Sequence, residues 1–419
     1  ACPYDALYIN PETDTAHKCN MCNHRIEAGL LPSCQIVCPT EAIKIGDLDD
    51  PTSEISRIIA RDDVAVRAPE QNTRPKVFYR GADQASLDPT RTAIAADGMI
   101  WADTVRAGSG PRHPTVPLAS GATTTIDSGV VARTTYTAAH QMTWREKVAG
   151  YLVTKAVAAG VMLVAALQVL MGHADEQAAV GVVPPIVAGA FLGLTGLLLV
   201  ADLKQPGRFH YLLTRGNRTS WLVKGAYVLM AFAAVCGLWW VGGLAGAEDL
   251  LKVLAVPAVL SAAGAAGYTA YLFAQCEGRD LWQTPLLLPV LLAQAVTAGG
   301  AAYAVMDVFM QIPEPTAVRW VLLGGVASTA LFVAIALSTH GSRHVELAVG
   351  TMTRGAYARQ FWWGGVGLGM IVPAVLVIVA LGADLDGSTL PALAGLAAVI
   401  GMFAYEDAFV RAGQSVPLS

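Results

Sequence analysis

Five cysteines fall within the first 38 residues: Cys2, Cys19, Cys22, Cys34 and Cys38, spaced Cys-x16-Cys-x2-Cys-x11-Cys-x3-Cys-Pro. Two thiolates separated by two residues suit one metal centre, and a closing Cys-Pro recurs in iron–sulfur runs whose last cysteine ligates a different cluster. An internal repeat supports that use. Cys2-Pro3-Tyr4-Asp5-Ala6-Leu7-Tyr8-Ile9 echoes Cys38-Pro39-Thr40-Glu41-Ala42-Ile43-Lys44-Ile45, as in a pseudo-twofold module with two half-sites. Structural zinc on Cys19, Cys22, Cys34 and Cys38 is the rival reading, since zinc takes four thiolates or imidazoles around one ion. Two Cys-Pro repeats and a fifth cysteine fit zinc poorly, and disulfides fit worse. A 4Fe-4S cluster takes four thiolates, so five cysteines cannot complete two. The chain opens at Ala1 with Cys2 already inside a motif, so the other ligands are expected from upstream sequence or from a partner. Cys236 and Cys276 sit in or beside apolar runs and read as small buried hydrophobes.

A second set of chemically capable residues lies in the apolar remainder. Ionisable groups inside membrane spans cost a few kcal/mol each by insertion scales, and they are functional candidates by default. Lys155, Asp202, Tyr268, Tyr271, Gln275, Glu277, Gln294 and His340 all fall toward one side of the expected spans. A quinone headgroup needs hydrogen-bond donors for its carbonyls, a proton route and an apolar pocket. Lys155 and Asp202, on adjacent spans, are expected to meet at similar depth as a pair beside that pocket. Tyr271, Gln275, Gln294 and His340 complete the candidate quinone site. Each has an ordinary alternative: interface anchoring for the tyrosines, a polar loop for His340, an ion-pair cluster for Glu277, Arg279 and Asp280. For Lys224 it is snorkelling to the interface.

These residues need a bilayer to position them. Charged residues make up 14% of the chain, against roughly 25% in soluble domains, and most precede residue 146. Apolar runs at 146–171, 183–202, 221–245, 253–275, 286–308, 318–340, 363–382 and 391–411 each supply the roughly 20 residues that a bilayer core requires. Small residues recur in them, as in Ala158-Ala159-Gly160, Gly264-Ala265-Ala266-Gly267 and Gly364-Gly365-Val366-Gly367, where helix backbones pack closely in lipid. Eight spans leave both ends on one side, here side A, which also carries the cysteines. Side A and its span ends hold twelve Lys and Arg, against Lys252 and Arg319 on the other side. That bias predicts a cytoplasmic side A in the inner membrane, unless the basic loops are a docking surface. Net charge is −4 and no basic stripe with interleaved aromatics occurs, so nucleic acid is not an expected partner.

The motifs also carry a resemblance. Residues 1–82 resemble the C-terminal part of the four-cluster ferredoxin subunits of molybdopterin oxidoreductases, through Cys2-Pro3-Tyr4, Lys18-Cys19-Asn20-Met21-Cys22, Arg25, Gly29-Leu30, Pro32-Ser33-Cys34 and Val37-Cys38-Pro39-Thr40-Glu41-Ala42. Gly46–Pro51 and Thr73–Tyr79 look like the same family's continuation. The resemblance implies that Cys2 closes a cluster begun upstream, that Cys19, Cys22 and Cys34 take a fourth ligand from an earlier cysteine run, and that Cys38 completes a third cluster. Residues 146–411 resemble the NrfD/PsrC-type quinone-interacting membrane subunit, through Asp202-Leu203-Lys204-Gln205-Pro206-Gly207-Arg208-Phe209, Ser220-Trp221-Leu222-Val223-Lys224-Gly225, Arg354-Gly355 and Phe361-Trp362.

The expected architecture is a small ferredoxin-like α+β domain (1–82), a polar linker (83–145) and an all-α bundle of about eight transmembrane helices (146–412). The expected role is electron transfer through 4Fe-4S clusters between a quinone pool (menaquinone or ubiquinone) and a molybdopterin-containing catalytic subunit, with the lipid bilayer as solvent. The chain supplies no substrate-oxidising site of its own and reads as a subunit of an oxidoreductase. A redox-linked ion transporter or proton-pumping module is the alternative, and a metal-stabilised scaffold without redox function is a third reading.

Overall fold

The computed structural model describes residues 4, 8–10, 15–82, 87, 144–203, 205–276, 278–339, 341–383 and 389–415. Cys2, Lys204, Glu277, His340 and nearly all of the 83–145 linker lie outside the described residues. The chain divides into two compact units, Ala1–Gln141 and Met142–Ser419.

The first unit is built from short pieces. Strands β1 (Tyr8–Asn10) and β2 (Thr15–His17) pair antiparallel with Ile9 opposite Ala16. Two short helices follow, α1 (Asn23–Ile26) and α2 (Ser33–Val37). Cys22 precedes α1, Cys34 lies in the first turn of α2, and Cys38 directly follows α2, so turns rather than long elements present the thiols. Helix α3 (Glu54–Arg61) starts at Ser53, whose hydroxyl accepts the Ser56 N–H at 3.2 Å, an N-cap that satisfies one orphan donor. The extended run expected at 75–80 narrows to β4 (Tyr79–Arg80), paired with β3 (Val64–Ala65). Asp62 accepts from Arg61 at 2.7 Å and Arg80 at 2.9 Å, which ties α3 to that ribbon.

Among its described residues the second unit holds eight helices long and apolar enough to cross a membrane: spans one to eight at Glu146–Leu170, Gln177–Asp202, Trp221–Leu244, Glu248–Ala274, Leu287–Met306, Pro315–Ser338, Gln360–Gly382 and Leu390–Ser415. Span one is the hub. Its apolar window is 89% buried, against 22% for span two, which leaves lipid as the neighbour of most of span two. Close approach depends on glycine. A methyl added at Gly160 would lie 2.0 Å from the Ala295 carbonyl oxygen, and one at Gly299 would lie 2.2 Å from that of Gly160. Spans one and five therefore touch backbone to backbone, the arrangement that small residues permit in lipid.

Two spans open with π-helical turns, Gln177–Val182 and Gln360–Ile371. In the first, the Ala179 carbonyl accepts from the Tyr303 hydroxyl (3.2 Å) and the Val180 carbonyl from the Trp239 indole (3.0 Å). In lipid every such group needs a partner, and here spans three and five provide them. At the side-A end, Trp144 stacks on Trp282 (5.1 Å) and meets Phe273 edge-on (5.3 Å). Gln414 clamps the Trp144 backbone from the last span, accepting its N–H at 3.0 Å and donating to its carbonyl at 2.6 Å.

Candidate functional site

The cysteines come first in the chain. Cys34 is exposed, yet slight burial, then the Cys22 thiol and more weakly Cys19, push its thiol up. Those three sulfurs therefore share one locale. Met21 and Cys22 both hold left-handed backbone (φ 57° and 54°), and the Met21 N–H is donated to the Cys19 sulfur at 3.4 Å. Cys38 is buried, and its sulfur accepts the Ala42 N–H at 3.0 Å just after Glu41, another left-handed residue. N–H groups aimed at sulfur stabilise thiolates and tune clusters. Among the described residues no three Cys, His, Asp or Glu side chains close around a single ion. Three thiols in one locale, with backbone N–H groups directed at sulfur, are the kind of donor set that iron–sulfur ligation uses.

The polar residues of the bundle are grouped differently from the sequence expectation. Lys155 and Asp202 do not pair. Thr154 shares a hydrogen bond with Thr195 (2.8 Å), and Lys147 donates to the Ala201 carbonyl (2.7 Å). This antiparallel register sets Asp202 level with Lys147, eight residues or about 12 Å along span one from Lys155. Asp202 is half-buried at the side-A rim, where Lys147 and Glu146 are its charged neighbours.

Lys155 is 1% exposed. Its ammonium donates to the Thr269 hydroxyl and lies 4.6 Å from the Tyr268 ring and 5.9 Å from the Tyr151 ring. Tyr151 and Tyr268 thus flank the ammonium with their rings, beside Thr269. The carboxylate that acts on Lys155 is Glu406 of span eight, also 1% exposed. Gln294 of span five donates to Glu406 Oε1 at 2.6 Å. Lys155 and Glu406 each lie nine residues from the side-A ends of their spans, about 13 Å deep. Spans five and eight thus join spans one and four at the cluster. Gln294 also lines a narrow cleft with Thr297, Thr329, Met402 and Tyr405. The cleft is so pinched that only about one water molecule fits.

The remaining candidates serve other contacts. Gln275 lies just past span four, accepts the Trp221 N–H (2.8 Å) and donates to the Thr219 carbonyl (3.0 Å), which closes the start of span three. Tyr271 stacks on Trp221 at 4.4 Å and is 44% exposed on the outer surface. Lys224 rests 4.8 Å above the same indole. Arg279 donates to the Gln414 carbonyl (3.2 Å), while Asp280 accepts from Ser342, so these two loop residues bind other segments.

Glu406 and Asp407 are the residues that sequence reading missed. The signal was present: two adjacent carboxylates lie inside the last apolar run. Asp407 accepts twice from Arg411 Nε (2.8 Å each) and once from Gln360 (2.8 Å), and Arg411 reaches Glu146 at 3.0 Å.

Comparison with known proteins agrees with both halves. Residues 135–417, about two thirds of the chain, match the family described as polysulphide reductase, NrfD, and residues 1–48 match a 4Fe-4S dicluster domain. The chain therefore belongs to the NrfD polysulphide reductase family and joins an iron–sulfur domain to that family's membrane domain. It is similar to a subunit of the tetrathionate reductase of Salmonella typhimurium, 52% identical over 91 residues that cover 21% of this chain and 36% of that protein. It is also similar to a component of the polysulfide reductase of Wolinella succinogenes, 40% identical over 79 residues (19% and 41%). A third is the thiosulfate reductase electron transfer subunit PhsB of Salmonella typhi, 48% identical over 81 residues (19% and 41%). The chain spans about two fifths or less of the length of these relatives.

Proposed function

We propose that this chain carries electrons between a quinone pool and a molybdopterin-containing catalytic subunit, through 4Fe-4S clusters held in part by Cys2, Cys19, Cys22, Cys34 and Cys38. When bound, the clusters supply one-electron transfer. The residues' part is to fix them with thiolates and with N–H groups directed at sulfur. The observation that carries the reading is the buried donor cluster of Lys155, Tyr151, Tyr268 and Thr269 in an NrfD bundle preceded by thiol turns. An ammonium and two phenols inside an apolar bundle can hydrogen-bond a quinone carbonyl and protonate its reduced oxygen. Tyr271 and Trp221, stacked at the outer surface of spans three and four, offer a ring face to an arriving quinone. Gln294 lies deeper, while Gln275 and Asp202 sit toward the rim. His340 belongs to the site by sequence position alone. Names of reductase subunits among the relatives support a catalytic partner on another chain. The basic bias of side A supports an inner-membrane protein whose iron–sulfur unit faces the cytoplasm.

The test is anaerobic mixing of the purified native complex with a quinol, followed by electron paramagnetic resonance. Cluster signals that appear with quinol and vanish with a quinone-site inhibitor are the expected result. Zinc in place of iron and labile sulfide would overturn the electron-transfer reading. Iron–sulfur clusters that quinol never reduces and quinone never reoxidises would overturn the quinone assignment and favour the ion-transport alternative.

A further inference from the structure

Glu406 is a buried acid that the electron path does not use. One oxygen accepts from Gln294, while Oε2 has no hydrogen-bond partner among the described residues. Lys155 acts on it electrostatically, but the ammonium is spent on Thr269 and two aromatic faces rather than on a closed ion pair. The titratable groups facing this region are Lys155 and Tyr151 from span one, Tyr268 from span four and Tyr405 from span eight itself. Span five contributes Gln294. Around the adjoining cleft, spans six and seven present Val326, Thr329, Gly365, Gly369 and Met370, none of them titratable. Gln294 belongs to both places, since it holds Glu406 and lines the cleft.

A carboxylate with one oxygen unpaired is disfavoured in a bilayer. A proton on Oε2 relieves that cost. The neighbouring cleft has room for about one water and polar groups to hold it. We propose that Glu406 is a proton-binding site, supplied by water from the cleft that spans five to eight line beside Gln294, and that it passes its proton to Lys155. The hand-off to Lys155 rests on the quinone reading above; proton binding at Glu406 does not. Quinone reduction takes two electrons, which the clusters would supply when bound, and two protons, which the relay would deliver one per pass. Lys155 gives one as its ammonium becomes an amine. The Glu406 carboxylic acid protonates that amine and becomes a carboxylate, and a solvent proton carried by cleft water restores the acid. Quinol oxidation runs the same transfers backward. Gln294, by occupying Oε1, leaves Oε2 as the oxygen that takes the proton.

The experiment is redox-induced infrared difference spectroscopy on the whole complex in H2O and D2O, with steady-state quinol kinetics on the same samples. The expected spectrum contains a carboxylic-acid carbonyl band that shifts in D2O, disappears in Glu406→Gln and moves in Gln294→Leu. The expected kinetics for Glu406→Gln are a fall in kcat of roughly tenfold or more with little change in KM, partly restored in Glu406→Asp. A wild-type complex without the band, or a band that persists in Glu406→Gln, overturns the proposal. So does a rise in KM for quinol without a fall in kcat, which would make Glu406 a quinone contact. If Glu406→Gln does not assemble, the wild-type D2O shift and the Gln294→Leu displacement decide alone. A Lys155→Met complex with normal quinol turnover and an intact Glu406 band would end the quinone reading and leave the proton site standing.

Discussion

Lys155 concentrates the functional argument at the scale of single residues. A lysine 1% exposed in an apolar bundle is expensive unless its charge is stabilised. Thr269, two ring faces and Glu406 share that task. Asp202, by contrast, sits at the side-A rim beside Lys147. The two substitutions should therefore part company. Lys155→Met, in complexes with full cluster content, is expected to lose quinol turnover on the order of 10²-fold, with weaker inhibitor binding. Asp202→Asn should cost only a few-fold. Cluster content and quinol oxidation measured on the same purified variants check this, and equal losses would return Asp202 to the quinone site. The cysteines make a separate forecast. Anaerobic preparations of the native protein with whatever chains co-purify should contain iron and labile sulfide in near-equal amounts, and Cys19→Ser or Cys34→Ser should lose signal from the same cluster. Loss from two different clusters would break the grouping that Cys34 indicates.

At the scale of elements, the ends of the spans are tied by ion pairs, not by hydrophobic contact alone. Asp407, Arg411, Gln360 and Glu146 join spans one, seven and eight. Asp407 is 6% exposed, so removing it leaves Arg411 without its principal partner. Breaking a buried pair by removing one member costs about 3–5 kcal/mol, whereas replacing both members by apolar groups is often neutral. Asp407→Ala is thus expected to lower the yield and thermal stability of the complex. The double variant Asp407→Leu with Arg411→Met should recover most of that loss. Thermal unfolding of detergent-solubilised complexes checks the order, and a double variant worse than the single would assign Arg411 a role beyond packing. Gly160→Leu should be more damaging than either, because the side chain would enter the space of the Ala295 carbonyl.

For the whole molecule the open variable is which face of the membrane side A occupies. The bias of twelve basic residues to two is expressed at span ends and loops. In the structure, Arg319 proves to be 3% exposed within the start of span six, and Arg411 is engaged by Asp407. A cytoplasmic reporter fused after Ser419 should be active and a periplasmic one silent, as positive-inside sorting requires. The opposite result would mean that the basic loops serve a partner on the far side of the membrane, and the iron–sulfur unit would lie there too.

Composition and spacing alone determined the two halves of this protein. Thiol spacing is a local property, and a run of twenty apolar residues finds its solvent without reference to any other run, so the iron–sulfur domain and the eight spans were legible. The repeat in the cysteine segment and the family motifs after span two were legible for the same reason. Which charges meet was not. Depth along a helix follows from residue number, but rotation and neighbour follow from packing, and glycine contacts such as Gly160 on Gly299 decide which helices pack closely. The Thr154–Thr195 register moved Asp202 about 12 Å away from Lys155. The fold of span eight against spans one and five brought in Glu406, more than 100 residues from Gln294 in the chain, which no pattern of neighbouring residues could link to Lys155.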